Sequence, residues 1–186
     1  MVIRLLRFNI KLLLAVGLLS LTGCQSPEAK QEKLQATLRI HLETNPNPPN
    51  QSEHILVLRS APLAVNIEPI PFLNEAHVAS AQVMNTPDGF AIKVQFVQRG
   101  QWLLEQYTTS NAKRRLAIRS QFRQGTNVFD RWLAAPVIQR PIADGVLTFT
   151  PDADYAEAET IVRGWNNVAG YKPKKPESKG KFSEVP

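Results

Sequence analysis

The stretch Asn85-Thr-Pro-Asp-Gly-Phe-Ala-Ile-Lys-Val-Gln-Phe96 decides the fold. Its second half sets Phe90, Ile92, Val94 and Phe96 at every other position, with Ala91, Lys93 and Gln95 between them. Successive side chains of a strand point to opposite faces, so this alternation predicts a strand with one apolar face. The first half, Asn85-Thr-Pro-Asp-Gly89, is a run of turn formers: proline presets φ, Asn and Asp bond their own backbone, and glycine admits positive φ. Residues 81–84 then read as the preceding strand, and the pair as an antiparallel hairpin.

Towards the amino terminus, Leu38, Ile40 and Leu42 alternate with Thr37, Arg39, His41 and Glu43, the pattern of a half-buried strand. The loop Asn45-Pro-Asn-Pro-Pro-Asn50 ends it. Residues 54–59 read as a second apolar strand, and the proline-bearing stretch to Pro71 as irregular or edge structure. Asn74 is placed to cap a short helical turn running to Val78.

Towards the carboxyl terminus, residues 100–112 predict a helix packed through Trp102, Leu103 and Tyr107. Residues 115–122 return as a strand with Leu116, Ile118 and Phe122, and residues 123–133 read as a polar connection. Residues 134–139 and 146–149 predict two short strands around 141–145. A last helix is expected with Thr150 as its cap, Pro151 at its first position, and Asp152 and Asp154 at the positive end of its dipole. Tyr155, Ala158, Val162 and Trp165 follow at helical spacing. The whole predicts one α+β domain over residues 34–170, a mainly antiparallel sheet with two helices on one face and ferredoxin-like character.

The start of the chain is of another kind. Arg4, Arg7 and Lys11 precede an apolar run from Leu12 to Leu21, which closes on Leu21-Thr22-Gly23-Cys24. A basic start, a short apolar middle and a small-residue end form a secretory signal, too short to span a bilayer stably. The ending resembles the lipobox of bacterial lipoproteins. That resemblance implies that Leu21, Thr22 and Gly23 are read by the signal peptidase and that Cys24 becomes the acylated first residue. It also explains why an exported chain carries a single cysteine, which has no internal partner for a disulfide. Residues 1–23 are then the signal, and residues 24–33 a short polar tether. Gln25 stands where inner-membrane lipoproteins commonly carry Asp, so the resemblance implies a cell-envelope protein held by palmitate-type acyl chains, on the outer membrane facing the periplasm where there are two membranes.

Charge narrows the function. Of the net +6, three charges belong to Arg4, Arg7 and Lys11. Much of the rest lies in residues 171–186, where Lys172, Lys174, Lys175, Lys179 and Lys181 face only Glu177 and Glu184 in a proline-bearing tail that reads as disordered. The folded part is near neutral and lacks the basic surface that nucleic-acid binding requires. No metal site is expected, because His41, His54 and His77 are scattered and read as solvent-facing, while the one thiol is spoken for. No Gly-x-Ser-x-Gly elbow and no phosphate-cradling glycine loop occur. Neither a catalytic residue nor a cofactor is expected. Of the three tryptophans, Trp102 and Trp165 read as core, and Trp132 as exposed.

Several strings in order resemble the first periplasmic (head) domain of SecD, a membrane subunit that assists protein export. They are Leu73-Asn-Glu-Ala-His-Val-Ala-Ser-Ala-Gln-Val83, Gly89-Phe-Ala-Ile-Lys-Val94, Tyr107-Thr-Thr-Ser-Asn-Ala-Lys-Arg-Arg-Leu-Ala-Ile118, Ala134-Ala-Pro-Val-Ile138 with Pro141-Ile142, and Ala156-Glu-Ala158. They span roughly residues 72–165. The chain departs from the family in having Ala112 where a glycine is usual and Arg163-Gly-Trp165 at the close of its last helix. It also shows no run of residues that would supply SecD's six membrane spans with their proton-coupling acids. The resemblance therefore implies the head's role of holding polypeptide, without the motor, and points to Pro136, Gln139, Arg140 and Pro141 as partner-binding residues; Trp132, read as exposed in the polar connection, is a further candidate. The expected partners are a membrane, through the lipid, and an envelope protein or unfolded polypeptide. An envelope or cell-wall hydrolase, or a cell-wall-binding protein, is the alternative; a structural lipoprotein is a further one.

Overall fold

The computed structural model describes residues 34–46 and 52–172. The signal, Cys24, the tether and the tail beyond Lys172 lie outside these. The order of elements is β1 (Arg39–Leu42), β2 (Glu53–Val57), β3 (Leu63–Ile67), β4 (Leu73–Asn74), a 3-10 turn (Glu75–His77), β5 (Val78–Thr86), β6 (Gly89–Phe96), α1 (Gln98–Ser110), β7 (Leu116–Gln124), β8 (Asn127–Ala134), β9 (Val146–Phe149) and α2 (Tyr155–Ala169). Among the described residues the fold is α+β, with all strand pairs antiparallel and two helices. The strands form three sheets, ordered β4-β1-β7-β8, β5-β6-β9 and β2-β3.

The deciding hairpin is β5–β6, with Thr86 opposite Gly89 and a two-residue turn, Pro87-Asp88. Gly89 takes φ +133°, which L side chains rarely adopt. Ile92, Val94 and Phe96 of β6 are buried. They join Leu38, Ile40, Leu42, Leu116, Ile118 and Phe122 in one core beneath the helices, with Leu104 of α1 and Ala158, Ile161 and Trp165 of α2. α2 packs on β5, β6 and β7, and α1 on β4 and β6. Asp154 caps α2: its side chain accepts from the Glu157 N–H, and Glu157 returns the bond to the Asp154 N–H. The expected cap, Thr150, is corrected by four residues, because Asp154-Tyr-Ala-Glu157 offers the reciprocal pair that Thr150 lacks.

The opposite face of the β1–β7–β8 sheet is also covered. Residues 54–59, read as an apolar strand, carry β2, and the following stretch to Pro71, read as irregular or edge structure, carries β3; the two pair as a hairpin in which both strands are edges. Its Ile55, Val57, Val65 and Ile67 close a second core with Ala117 and Ala135, against which Leu63 and Trp132 pack. His41 therefore does not face solvent. It is 4% exposed, its ring meets Trp132 edge-on at 5.3 Å, and its Nδ1–H donates to the Glu68 carbonyl at 2.8 Å. His54 is exposed and His77 half-buried.

Residues 123–133, read as a connection, are mostly strand: β7 and β8 form a hairpin turning at Gly125, φ +63°. Their polarity reflects an edge strand with one solvated face, not a loop. Residues 134–139, expected as a strand, are strand only at Ala134, the end of β8, and keep beyond it a single bridge between Val137 and Arg115. Pro136 has no N–H to extend the ladder, and only its carbonyl is used, by Leu116 N–H at 2.9 Å.

Candidate groove between residues 136–142 and β9

The segment after β8 runs as a strap across the sheet. Ile138 N–H donates to Arg114 O at 2.8 Å, and Lys113 N–H donates to Ile138 O at 3.0 Å, which tie its first half to the start of β7. Its second half is fixed to α1, where Ile142 N–H donates to Thr108 Oγ1 at 2.9 Å and Gln101 Nε2 donates to Ala143 O at 2.7 Å. Gly145, φ +67°, brings the chain back: a Cβ there would lie 2.9 Å from the Gln101 Cβ. Between strap and β9 lies a groove of about 520 Å³. Leu116, Ile138 and Leu147 line it from the core, and Pro136, Gln139 and Pro141 line it from the strap. Gln139, Arg140 and Pro141 are exposed, and Pro136 is half-buried.

The wall opposite the strap is a free strand edge. Among the described residues β9 has a strand neighbour on one side only, β6. Phe96 N–H donates to Gly145 O at 2.9 Å, and Val94 is opposite Leu147. Since hydrogen-bonding residues alternate along an antiparallel pair, Leu147 and Phe149 turn their backbone groups to β6, while Val146 and Thr148 turn theirs away. The other side of β6 gives the same phase. Ala81, opposite Val94, bonds its N–H and C=O to Asn166, so Val94 directs its own to β9. The Val146 N–H is held by Asp144 Oδ1 at 3.0 Å. The outward main-chain groups of β9 are thus the Val146 carbonyl and the Thr148 N–H and carbonyl.

Pro136, Gln139, Arg140 and Pro141 are accordingly brought to one groove, and Trp132 is not among them. It sits half-buried on β8, on the sheet face away from the groove, with the Arg119 guanidinium 5.5 Å from its ring centroid. The exposed tryptophan is Trp102, 59% accessible, expected in the core. α1 begins at Gln98 and buries Gly100, Leu104 and Thr108, which carries Trp102 to the outer side while Leu103 and Tyr107 stay at the flank. Trp165 is buried as expected. Sequence reasoning missed the backbone of Thr148, whose signal was its place in a four-residue strand at the end of a sheet.

Elsewhere several charged side chains pair. Asp152 binds Arg59, and Glu157 binds Arg131 at 2.9 Å, so these acids are held beside α2 and away from the groove. The buried His41 lies on the other face of the sheet. Among the described residues no group of three His, Cys, Asp or Glu is placed to hold a metal ion, and no helix is long and apolar enough to cross a membrane.

A small α+β module with two helices over antiparallel sheets and a strap-walled groove is the class of domain this geometry defines. No protein-family model matches the chain, and no curated protein matches it. Two solved structures are similar in fold. One is of SecDF, described as a membrane component that enhances protein export: 18% identity, TM-score 0.54, with 80% of this chain and 71% of that chain covered. The other is SecDF in its Super-membrane-facing form: 18% identity, TM-score 0.53, covering 77% of this chain and 21% of that one. At this identity the likeness is one of fold.

Proposed function

We propose that the chain is a lipid-anchored, noncatalytic module of the cell envelope that holds extended polypeptide in the groove between the strap and β9. The observation that carries this reading is the free edge at Thr148, set in a groove with an apolar floor and a proline-bearing wall. An extended chain adding to such an edge gains main-chain hydrogen bonds whatever its sequence, which suits a binder of unfolded segments. The fold likeness to a component that enhances protein export supports a client of that kind.

The address comes from the sequence. The run ending Leu21-Thr22-Gly23-Cys24 supports acylation at Cys24, and Gln25 supports an outer-membrane, periplasm-facing site. Each buried methylene contributes about 0.8 kcal/mol, so a multiply acylated cysteine holds a membrane stably where one chain holds marginally. The module acts by holding, and no step of this reading draws on a proton gradient.

The test uses the acylated protein in detergent micelles and a fluorescent, reduced and carboxymethylated polypeptide. Saturable anisotropy, competed by unlabelled unfolded chain and not by the same protein folded, is the expected result. Anisotropy no higher than with empty micelles overturns the polypeptide reading. Intact mass at the mature terminus tests the anchor separately: an unmodified thiol on Cys24 overturns it.

A further inference from the structure

We propose that the end of the domain where Leu34 meets the last turn of α2 is a membrane-docking face that lies on an anionic bilayer surface; this rests on the lipid-anchor reading. Leu34 O accepts from Asn167 Nδ2 at 2.8 Å, and Tyr171 N–H donates to Asn166 O at 2.9 Å. The described residues thus begin and close at one end of α2. Residues 25–33 join this end to Cys24 and reach about 30 Å when extended, which holds it near the bilayer.

The surface there suits that neighbour. Val128, Val168 and Tyr171 are 54%, 41% and 42% exposed. Val128 and Val168 share the rim of a cavity of about 630 Å³ with Leu34, Ala36 and the exposed Arg123. The acid on that rim, Glu75, is paired with Arg39. Past Tyr171 the sequence adds Lys174, Lys175, Lys179 and Lys181 against Glu177 and Glu184. Exposed apolar side chains beside the exposed Arg123, on a chain whose following sequence is lysine-rich, match a surface of anionic headgroups over acyl chains. A neutral protein partner would leave those cations unmatched.

The experiment puts the acylated full-length mature protein on vesicles of phosphatidylcholine, alone or mixed with phosphatidylglycerol. A fluorophore is placed on Val128→Cys, Val168→Cys or, as control, Asp88→Cys. Asp88 lies in the β5–β6 turn beside Phe90, whose ring meets Tyr155 at the other end of α2. Quenching by lipid-borne nitroxides at positions 128 and 168 but not 88, in the anionic vesicles only and lost at high salt, is the expected result. Equal, weak quenching at all three positions with the protein still floating on vesicles overturns the docking face and leaves the anchor standing. Failure of the protein to float overturns the anchor and the face with it. Responses at 128 and 168 that track protein concentration rather than lipid charge assign the face to a second copy of the chain and overturn the membrane assignment.

Discussion

Asn166 and Ala81, 85 positions apart, are joined twice: Asn166 Nδ2 donates to Ala81 O at 2.9 Å, and Ala81 N–H donates to Asn166 Oδ1 at 2.7 Å. A side-chain amide on α2 thereby does for β5 what a neighbouring strand would do, satisfying both main-chain groups of an edge residue in a buried place. Asn166→Ala leaves that N–H and C=O buried and unpaired, and each costs about 1–3 kcal/mol. Urea unfolding should show a loss of about 2–4 kcal/mol, and Asn166→Asp, which keeps only the acceptor, should not restore it.

Gly164 lets α2 pack closely on the amino-terminal segment. A Cβ there would lie 2.6 Å from the Ala36 Cβ and 2.7 Å from the Ala36 backbone nitrogen. Backbone cannot swing aside as a side chain does, so the helix must move off. Gly164→Ala should cost about 1–3 kcal/mol despite alanine's better helix propensity, measured by the urea midpoint.

His41 makes stability depend on pH. Its Nδ1 faces a carbonyl and so carries the proton, while its buried Nε2 has no partner among the described residues. Burial lowers its pKa below 6.5, outweighing the Glu68 carbonyl and the Glu53 charge, which raise it; Arg119 and Arg39 lower it further. The folded state therefore favours the neutral ring more than the unfolded state does. Its contribution is fully present above pH 6.5 and is lost as pH falls from there towards the lowered folded value. Unfolding free energy should drop with acid over that window, with Trp132 fluorescence reporting release of the β2–β3 hairpin. In His41→Phe the dependence over the same window should flatten, even where overall stability is lower.

Thr148 separates strand addition from other uses of the groove. Its N–H points away from β6, so Thr148→Pro removes an outward donor while leaving the β6–β9 bonds in place. Thermal unfolding should shift little, whereas affinity for unfolded polypeptide should fall by about tenfold, as expected for about 1.4 kcal/mol of lost main-chain bonding. Thr148→Val, which keeps the N–H, should bind as the parent does.

Half of this architecture was legible because it rests on periodicity. Phe90 to Phe96 and Leu38 to Leu42 alternate, and Ala158, Val162 and Trp165 repeat at helical spacing, since one face of each is buried in a single core. What escaped depended on contacts between distant segments. His41 has the period of a solvated face, and only the β2–β3 hairpin, set between prolines, covers it. β8 looks like a loop because charged Asp130 and Arg131 stand side by side within it, one paired with Arg119 and the other with Glu157. Trp102 was misplaced through helix phase, where a start at Gln98 buries Gly100 and Leu104 instead. The groove residues Pro136 to Pro141 were visible as a string, but the free edge they face follows only from sheet order.

The most direct measurement is photo-crosslinking in the intact envelope, with a photoreactive residue in place of Gln139 in the groove and, as control, in place of Asp88. The account predicts adducts with polypeptides in transit at position 139, increased when export is saturated, and none at position 88. Equal adducts at the two positions, or none at position 139 with the protein present and acylated, would contradict it.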